Sequence, residues 1–166
     1  METTQKPYAF IRKVFCEGMR DGVPIALGYF AVSFSLGIAA RNAGLTPIQG
    51  FFASLFNNAS AGEYAAFSLI AAGATYLEVA IITLIANARY LLMSCALAQK
   101  FAPGTPFFHR LIIGYDVTDE LFGITIARPG YLNPFYTYGA IALAAPAWAM
   151  GTALGIICLL YTSDAA

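Results

Sequence analysis

Residues 22–40, "GVPIALGYFAVSFSLGIAA", form a run of 19 residues without a charged side chain. A helix rises about 1.5 Å per residue, so this run is long enough to cross the hydrocarbon core of a bilayer, which is roughly 30 Å thick. It therefore predicts a transmembrane helix. Asp21 is expected to cap its N-terminus, with Pro24 in the first turn, where a missing N–H costs little. A cleaved signal peptide is less favoured, because the run exceeds the ~7–15 apolar residues of a signal sequence.

The composition agrees with a membrane protein. The chain of 166 residues is 59% hydrophobic and 11% charged, which leaves too few charges to cover a water-facing surface of that size. Its net charge is +0, and nothing in it indicates a nucleic-acid partner. The three cysteines are far apart and predict neither a disulfide framework nor a metal site. The expected fold is all-α: a polytopic helical membrane protein with broken or re-entrant helices.

Basic residues predict the orientation of the chain in the membrane. They form two clusters, one before the first span and one further along the chain: Lys6, Arg12, Lys13 and Arg20, then Lys100, His109 and Arg110. Because basic residues accumulate on the cytoplasmic side, both clusters are expected there. Residues 1–21 would then be a cytoplasmic N-terminal segment, and residues 22–160 the transmembrane domain. Residues 41–98 would cross an odd number of times, either as three short passes or as one pass with a re-entrant hairpin.

The next run, residues 42–62, has no charge but contains many residues that interrupt a helix. Such backbone is tolerated at membrane depth only where protein or water satisfies it, and transporters place broken helices at their substrate sites. We predict a break at residues 57–63, with these candidate site residues: Asn57, Ser60, Gly62 and Glu63. The alternative is a loop at the membrane interface whose small residues only allow close helix packing.

Residues 64–88 form an apolar run with a single ionisable residue, Glu78, near its middle. A carboxylate at that depth costs ~2.5–3.5 kcal/mol on insertion scales and usually faces a cavity and a partner. Asn87, Arg89 and the acids further along the chain are the candidate partners. We predict that Glu78, Asn87 and Arg89 belong to a polar pathway through the membrane. A buried ion pair that holds helices in register is the structural alternative.

Three carboxylates are concentrated in residues 111–127, "LIIGYDVTDELFGITIA". On one helix, Asp116, Asp119 and Glu120 would project within an arc of ~100°, with the opposite side apolar. Since three neighbouring carboxylates cannot all ionise at low cost in a low dielectric, at least one is expected to carry a proton. In the alternative interpretation, the helix begins later, with Thr118 or Asp116 as its cap, and the acids form a solvated entry at the membrane surface.

The last apolar run, residues 135–160, has no charge and predicts another span. Tyr136, Tyr138 and Trp148 are expected at its surface. Gly151 and Gly155 form a G-x-x-x-G pattern, which lets another helix pack closely. The pattern predicts a packing face and indicates nothing about a substrate.

Five segments in this order carry a family resemblance: "MRDGVPIALGY" (19–29), "ASAGEYAAFSLIAAGA" (59–74), "NARYLLMSCALAQK" (87–100), "TDELFGI" (118–124) and "PAWAMGTALG" (146–155). Together they resemble the large subunit of branched-chain amino acid exporters, the AzlC family. The resemblance implies a multi-pass permease of the bacterial cytoplasmic (inner) membrane that exports leucine, isoleucine, valine and similar amino acids beside a small AzlD-type membrane subunit. Motifs of the family fall on these residues: Gly62, Glu63, Asn87, Arg89, Tyr90, Thr118, Asp119 and Glu120.

The end of the chain departs from the resemblance. Family members continue with further hydrophobic segments beyond Gly155, whereas residues 161–166 do not look like the family. We therefore expect a non-family tail at 161–166 and a transmembrane domain that is incomplete relative to the family.

One mechanistic hypothesis combines these groups. An amino acid needs a cationic group for its carboxylate, an anionic group for its ammonium and an apolar pocket for its side chain. Arg89 and the helix end near Ser60 would bind the carboxylate, and Glu63 or Glu78 would bind the ammonium. One of the acids at 116–120 would couple a proton. No cofactor is expected, and no nucleotide-binding phosphate loop occurs in the sequence.

Two other classes of protein compete with an exporter. A channel, or a non-transporting subunit of a membrane complex, has a similar composition, and accumulation of substrate against a gradient distinguishes a pump from a pore. A membrane enzyme also keeps acids inside the bilayer. Residues 114–120, "GYDVTDE", are similar to motifs of intramembrane aspartyl proteases and magnesium-dependent lipid enzymes, but the second acidic motif that either chemistry needs is missing. We therefore expect neither an enzyme nor a metal site.

Overall fold

The computed structural model describes residues 7–163, with side chains described for residues 8–160. Within these limits the chain forms eight helices and no β-strand, which confirms the all-α prediction. The helices are α1 (Pro7–Asn42), α2 (Pro47–Asn57), α3 (Ser60–Ala71), α4 (Tyr76–Ala86), α5 (Ala88–Lys100), α6 (Phe107–Tyr115), α7 (Asp119–Ile126) and α8 (Pro134–Ser163). Lys6 and residues 164–166 of the predicted tail lie outside the described residues.

α1 begins at Pro7 and runs without interruption to Asn42, so the prediction that a helix starts at Asp21 is wrong. The described part of the polar leader, residues 7–21, is itself helical. A proline is tolerated at Pro7, the first helical position described, because an N–H there would have no helical partner. The Asp21 carboxylate instead accepts a hydrogen bond from the Tyr136 hydroxyl at 2.8 Å. Pro24 lies inside the helix rather than in its first turn.

α1 and α8 are the two long helices, and they pack against each other. Tyr8–Asn42 and Pro134–Leu160 are each long and apolar enough to cross a membrane, and α4 with α5 makes a third candidate span that is bent by 46°. Glycines bring the two backbones into contact. An added Cβ on Gly155 would lie 3.0 Å from the Cα of Gly37, and one on Gly37 would lie 2.6 Å from the Thr152 carbonyl oxygen. The packing face predicted from the G-x-x-x-G pattern is therefore confirmed.

Tyr136 and Trp148 are buried in α8, contrary to their predicted position at its surface. Burial is favourable because each polar atom has a partner. Tyr136 donates to Asp21, and the Trp148 indole donates to Glu63 at 2.6 Å. The Tyr29 ring of α1 packs edge-on against Trp148, with 5.2 Å between the ring centroids. α8 thus contacts polar side chains of two other helices, Asp21 of α1 and Glu63 of α3.

The apolar run at residues 64–88 is not one continuous helix. Gly73 has a positive φ of 75° and follows the end of α3. Thr75 and Glu78 then form a capping box for α4, in which the Glu78 carboxylate accepts from the Thr75 N–H at 2.8 Å. Glu78 therefore lies exposed in the first turn of α4 and not in the middle of a helix.

Residues 111–127 are also divided into two helices. α6 ends at Tyr115 and α7 begins at Asp119. Thr118 is the N-cap of α7, and its hydroxyl oxygen accepts from the Leu121 N–H at 3.4 Å. The structure therefore confirms one part of the alternative interpretation, that a helix begins late with Thr118 as its cap. The prediction that three acids project from one helix face is wrong, because the chain turns between the first acid and the other two.

Basic residues gather at one end of the α1–α8 pair. The Lys100 ammonium donates to the main-chain carbonyls of Ile126 and Arg128. The Arg128 guanidinium pairs with Glu17 of α1 at 3.1 Å and lies over the Tyr136 ring. The described members of the two basic clusters thus lie at the same end, as expected of segments that share one side of a membrane. The cytoplasmic position of that end stays a prediction.

Candidate functional site

The break predicted at residues 57–63 is confirmed, and it meets a second break. α2 ends at Asn57 and α3 begins at Ser60, while Asn58 between them has a positive φ of 36°, which asparagine tolerates. The Asn58 Nδ2 donates to Asp116 Oδ1 at 2.8 Å, and Asp116 follows the end of α6. One hydrogen bond therefore joins the interruption between α2 and α3 to the interruption between α6 and α7. We refer to this pair, Asn58 and Asp116, as the joint.

Both residues of the joint are deeply buried, with 8% of each exposed. Their remaining oxygens, Asn58 Oδ1 and Asp116 Oδ2, have no hydrogen-bond partner among the described residues. Most buried polar atoms in proteins do have a partner. The joint therefore presents two acceptors that the described part of the chain does not satisfy.

Two helices begin next to the joint. The N-cap residue of α3, Ala59, offers no side-chain hydrogen bond to the first-turn N–H groups, whereas Thr118 caps α7. A helix N-terminus carries a partial positive charge and free N–H donors. The start of α3 at Ser60 is therefore suited to an anionic group such as a carboxylate.

Two cavities adjoin Asn58. The polar cavity has a volume of about 130 Å³, and its lining includes Tyr29, Asn58, Ser60, Thr118, Asp119 and Glu120. The apolar cavity has a volume of about 300 Å³, and its lining includes Phe56, Asn57, Leu84, Asn87, Leu91 and Val117. Asn58 and Tyr90 line both cavities. The arrangement suits a small molecule with one polar and one aliphatic end.

Glu63 is the most deeply buried carboxylate of the described residues, with 1% of it exposed. Its Oε1 accepts from the Ser54 hydroxyl and its Oε2 from the Trp148 indole. Ser54 Oγ also lies 2.8 Å from Thr152 Oγ1. Helices α2, α3 and α8 thus meet at one carboxylate. Because each oxygen already accepts from a protein donor, Glu63 is a poorer binding group for a substrate ammonium than its sequence position indicates.

Tyr29 connects α1 to the start of α7. Its hydroxyl lies 2.6 Å from Glu120 Oε2 and also bonds the Thr118 hydroxyl. Its ring packs on Trp148, whose indole bonds Glu63. The hydrogen-bonded cluster around Glu63 therefore contacts the lining of the polar cavity through two aromatic side chains.

Arg89 forms an ion pair with Asp119, with 2.8 Å between Nη2 and Oδ2. The two side chains are 47% and 41% exposed, so the pair lies at the outer edge of the polar cavity and adds little stability. The guanidinium carbon is 5.0 Å from the centroid of the Tyr90 ring, a cation–π distance. Of the two pairings considered for Arg89 in the sequence, the structure therefore shows the one with an acid of residues 116–120 and not the one with Glu78.

Asn87 lies between α4 and α5 at the wall of the apolar cavity. Its Nδ2 donates to Asn57 Oδ1 at 3.1 Å. Gly62 lies against the same amide, because an added Cβ would be 2.7 Å from Asn87 Nδ2. Gly62 therefore makes room for Asn87.

The structure brings most of the predicted site residues together. Some line a cavity directly, namely Asn57, Ser60, Asn87, Asp119 and Glu120. Others contact a lining residue, namely Gly62, Glu63, Arg89 and Asp116. Glu78 is separate from this group, because its carboxylate belongs to the capping box of α4. Its predicted place on a polar pathway is therefore not supported by its contacts.

Three residues of the site are not identified by the sequence patterns: Tyr29, Asn58 and Trp148. Tyr29 and Trp148 resemble ordinary aromatic residues of apolar spans. Their partners are 85 to 91 positions away in the sequence, so a local pattern cannot reveal them. Asn58 does have a signal, since asparagine is one of the few residues that adopt a left-handed conformation at a helix C-terminus.

We expect Thr118→Ala to destabilise the protein by about 1–2 kcal/mol, because it removes the N-cap hydrogen bond of α7 and one partner of Tyr29. Thr118→Ser keeps the hydroxyl and should stay within about 0.5 kcal/mol of the parent. Unfolding of the purified protein in detergent, followed by tryptophan fluorescence, measures the difference. Equal stability of all three proteins would contradict the proposed cap.

The lining of the two cavities supplies carboxylates, amides, hydroxyls and aromatic rings, with one guanidinium at the edge. These groups can form ion pairs and hydrogen bonds with a small charged ligand. Among residues 7–163, no group of three or more histidine, cysteine, aspartate or glutamate side chains is arranged to hold a metal ion.

Comparison with known proteins gives matches over most of the chain. A family model described as "AzlC protein" matches residues 24–160. An uncharacterised membrane protein of Archaeoglobus fulgidus is 28% identical over 87% of this chain and 62% of its own length. The inner membrane protein YgaZ of Escherichia coli is 25% identical over 85% and 59%, and an uncharacterised membrane protein of Helicobacter pylori is 23% identical over 86% and 63%. The chain spans about three fifths of the length of these relatives, and no solved structure matches it.

Proposed function

The chain belongs to the AzlC family of membrane proteins, and from this premise we propose that it is the large subunit of a two-component permease that exports branched-chain amino acids across the bacterial inner membrane. A small AzlD-type membrane protein is the proposed second subunit. The observation that carries the proposal is the pair of adjoining cavities, one polar and one apolar, around Asn58. Since the chain spans about three fifths of its relatives, the proposal concerns the activity of the whole protein.

The carboxylate of the amino acid would be bound at the polar cavity. The N-terminus of α3 at Ser60 has no side-chain cap, so its N–H groups are available to carboxylate oxygens. Arg89 reaches the edge of the same cavity through its ion pair with Asp119, and a guanidinium binds carboxylates through two parallel hydrogen bonds. These are the two elements that the sequence hypothesis assigned to the carboxylate.

The branched side chain would occupy the apolar cavity. Phe56, Leu84 and Leu91 contribute to its lining, and burial of an aliphatic group is favourable by about 0.8 kcal/mol per CH₂. A hydrophobic pocket discriminates poorly between chains that differ by one methylene. Leucine, isoleucine and valine should therefore all be accepted.

Proton coupling would use the acids of the polar cavity. Asp119 is paired with Arg89, and Glu120 accepts from Tyr29. A substrate carboxylate that binds Arg89 competes with Asp119 for the same guanidinium. Substrate binding would therefore be linked to the release of Asp119 from Arg89, and we propose this exchange as the step that couples substrate and proton.

The test is export of labelled leucine from loaded vesicles that contain the full-length protein and its partner subunit. Arg89→Ala and Asp119→Asn are each expected to lower the rate at least about tenfold, since a hydrogen bond to a charged group is worth ~1.5–3 kcal/mol. Arg12→Ala, on an exposed part of α1, is the control and should export at the parent rate. If both site variants also export at the parent rate, the proposed site is wrong.

A channel or a non-transporting subunit is the alternative function. The same vesicles distinguish the two, because a pump moves leucine against its gradient when a pH difference is applied, whereas a channel only equilibrates it. Equilibration without accumulation by the complete complex would favour the channel. If the small subunit alone moves leucine, a non-transporting role for this chain is favoured.

A further inference from the structure

We infer that Asn58 and Asp116 together bind the ammonium group of the transported amino acid, an inference that rests on the proposed function and supplies the binding group it lacks. Glu63 and Glu78, the two acids that the sequence suggested for this role, do not suit it. Each Glu63 oxygen already accepts a hydrogen bond, and Glu78 lies in an exposed capping box. The joint, in contrast, has unused acceptors. Asn58 lines both cavities, and Asp116 is hydrogen-bonded to it.

The unused atoms of the joint are both oxygens. Asn58 Nδ2 is occupied by its bond to Asp116 Oδ1. This leaves Asn58 Oδ1 and Asp116 Oδ2, which are buried and have no partner among the described residues. An ammonium has three N–H donors and no acceptor. It therefore complements this pair of oxygens, whereas a carboxylate would be repelled by them.

The charge of Asp116 also favours a cationic ligand. Within the described residues, no lysine, arginine or histidine side chain forms an ion pair with it, since Arg89 pairs with Asp119 and Arg128 pairs with acids of α1. A carboxylate buried without a counter-charge is costly. A bound ammonium would supply the opposite charge at the position where it is needed.

The helix ends around the joint favour the same ligand. α2 ends at Asn57 and α6 ends at Tyr115, so the joint lies at two helix C-termini, which carry partial negative charge and stabilise cations. The N-terminus of α3 at Ser60, with the opposite partial charge, lines the polar cavity together with Asn58. An amino acid in this position has its ammonium at two helix C-termini and its carboxylate at a helix N-terminus.

The test uses isopentylamine, which has the ammonium and the branched chain of leucine but no carboxylate. Trp148 is the sole tryptophan of the chain and lines the polar cavity, so amine binding to the purified protein in detergent should change its fluorescence in a saturable way. Asp116→Asn keeps the size of the side chain, removes its charge and is expected to weaken binding at least about tenfold. Asp21→Asn is the same substitution on α1, where the carboxylate contacts Tyr136 and Arg128 rather than a residue that lines either cavity. This variant should bind the amine as the parent does.

Asn58→Gly is the second variant, because glycine adopts the positive φ of this position without strain and removes the amide oxygen. It is also expected to weaken amine binding. 4-Methylpentanoate, which has the carboxylate and no ammonium, should bind Asp116→Asn no more weakly than it binds the parent. The inference would be overturned if Asp116→Asn bound the amine as tightly as the parent does, or if the parent showed no saturable amine binding. It would also be overturned if sodium chloride alone gave the same saturable change in Trp148 fluorescence.

Amine binding is measured without transport, so the two proposals can fail separately. Amine binding that is lost in Asp116→Asn supports the ammonium site even when vesicles export no leucine, a result that would contradict the proposed function alone. Normal leucine export together with unchanged amine affinity in Asp116→Asn would contradict the ammonium site alone.

Discussion

Gly37→Leu is expected to separate α1 from α8 and to lower the free energy of unfolding by about 3 kcal/mol or more. A Cβ on Gly37 would lie 2.6 Å from the Thr152 carbonyl oxygen and 2.7 Å from the Cα of Gly155. These are backbone atoms, which cannot turn away as the end of a flexible side chain can. The measurement is the unfolding temperature of the purified protein in detergent, with size-exclusion chromatography to detect misassembled protein.

Gly28→Leu is the matched control on the same helix. Gly28 is exposed, and an added Cβ there would meet nothing within 4 Å. Leucine also favours a helix over glycine by roughly 1 kcal/mol, so this variant should be as stable as the parent or slightly more stable. Equal unfolding temperatures for the two leucine variants would show that the α1 and α8 backbones are not in contact at Gly37.

Glu63→Leu is expected to have the second largest effect, with a loss of about 3 kcal/mol in stability and of leucine export. Leucine accepts no hydrogen bond, so the Trp148 indole loses its acceptor at a buried position. The Ser54 hydroxyl can still donate to Thr152. Each unsatisfied buried donor costs about 1–3 kcal/mol. The indole N–H is a donor only, so Trp148 has no way to adapt within the cluster. Unfolding in detergent and export of labelled leucine measure the two effects.

Glu63→Gln separates the hydrogen bonds from the charge. The glutamine Oε1 can accept from Trp148 while its Nε2 donates to Ser54, whose hydroxyl can turn to Thr152. The loss of stability should therefore be about 1 kcal/mol. Glu78→Gln is the matched control at an exposed position, because glutamine also completes a capping box. A Glu63→Gln protein as unstable as Glu63→Leu would refute the hydrogen-bond explanation of this cluster.

Helix boundaries can be predicted from the sequence where local chemistry sets them. The interruption between α3 and α4 has such a signal, because Thr75 and Glu78 form the T-x-x-E pattern of a capping box and Gly73 precedes them. This pattern explains why Glu78 lies in the first turn of α4, although residues 64–88 form one long apolar run in the sequence. The break at residues 57–63 was predicted correctly, since asparagine and small residues favour helix ends.

The interruption between α6 and α7 has a weaker local signal. Residues 115–118 contain neither glycine nor proline, and the acids that follow suit a continuous helix. The structure shows a tertiary contact at this point, the bond from Asn58 to Asp116, together with the Thr118 cap. A contact between residues 58 positions apart leaves no periodic pattern in the sequence. The hydrogen-bond partners of Tyr29 and Trp148 are also far away in the sequence, so no local pattern indicates the roles of these two residues.

The glycine contacts between α1 and α8 also restrict how the molecule can move. α1 and α8, whose backbones are in contact at Gly37 and Gly155, form a rigid helix pair. Neither helix can slide along the other without a collision of main-chain atoms. Hydrogen bonds between side chains connect the short helices to this pair. Tyr29 of α1 contacts Glu120 of α7, and Glu63 of α3 contacts Trp148 of α8. If the cavities open to each side of a membrane in turn, as the proposed function requires, we expect the short helices to move and the α1–α8 pair to stay fixed.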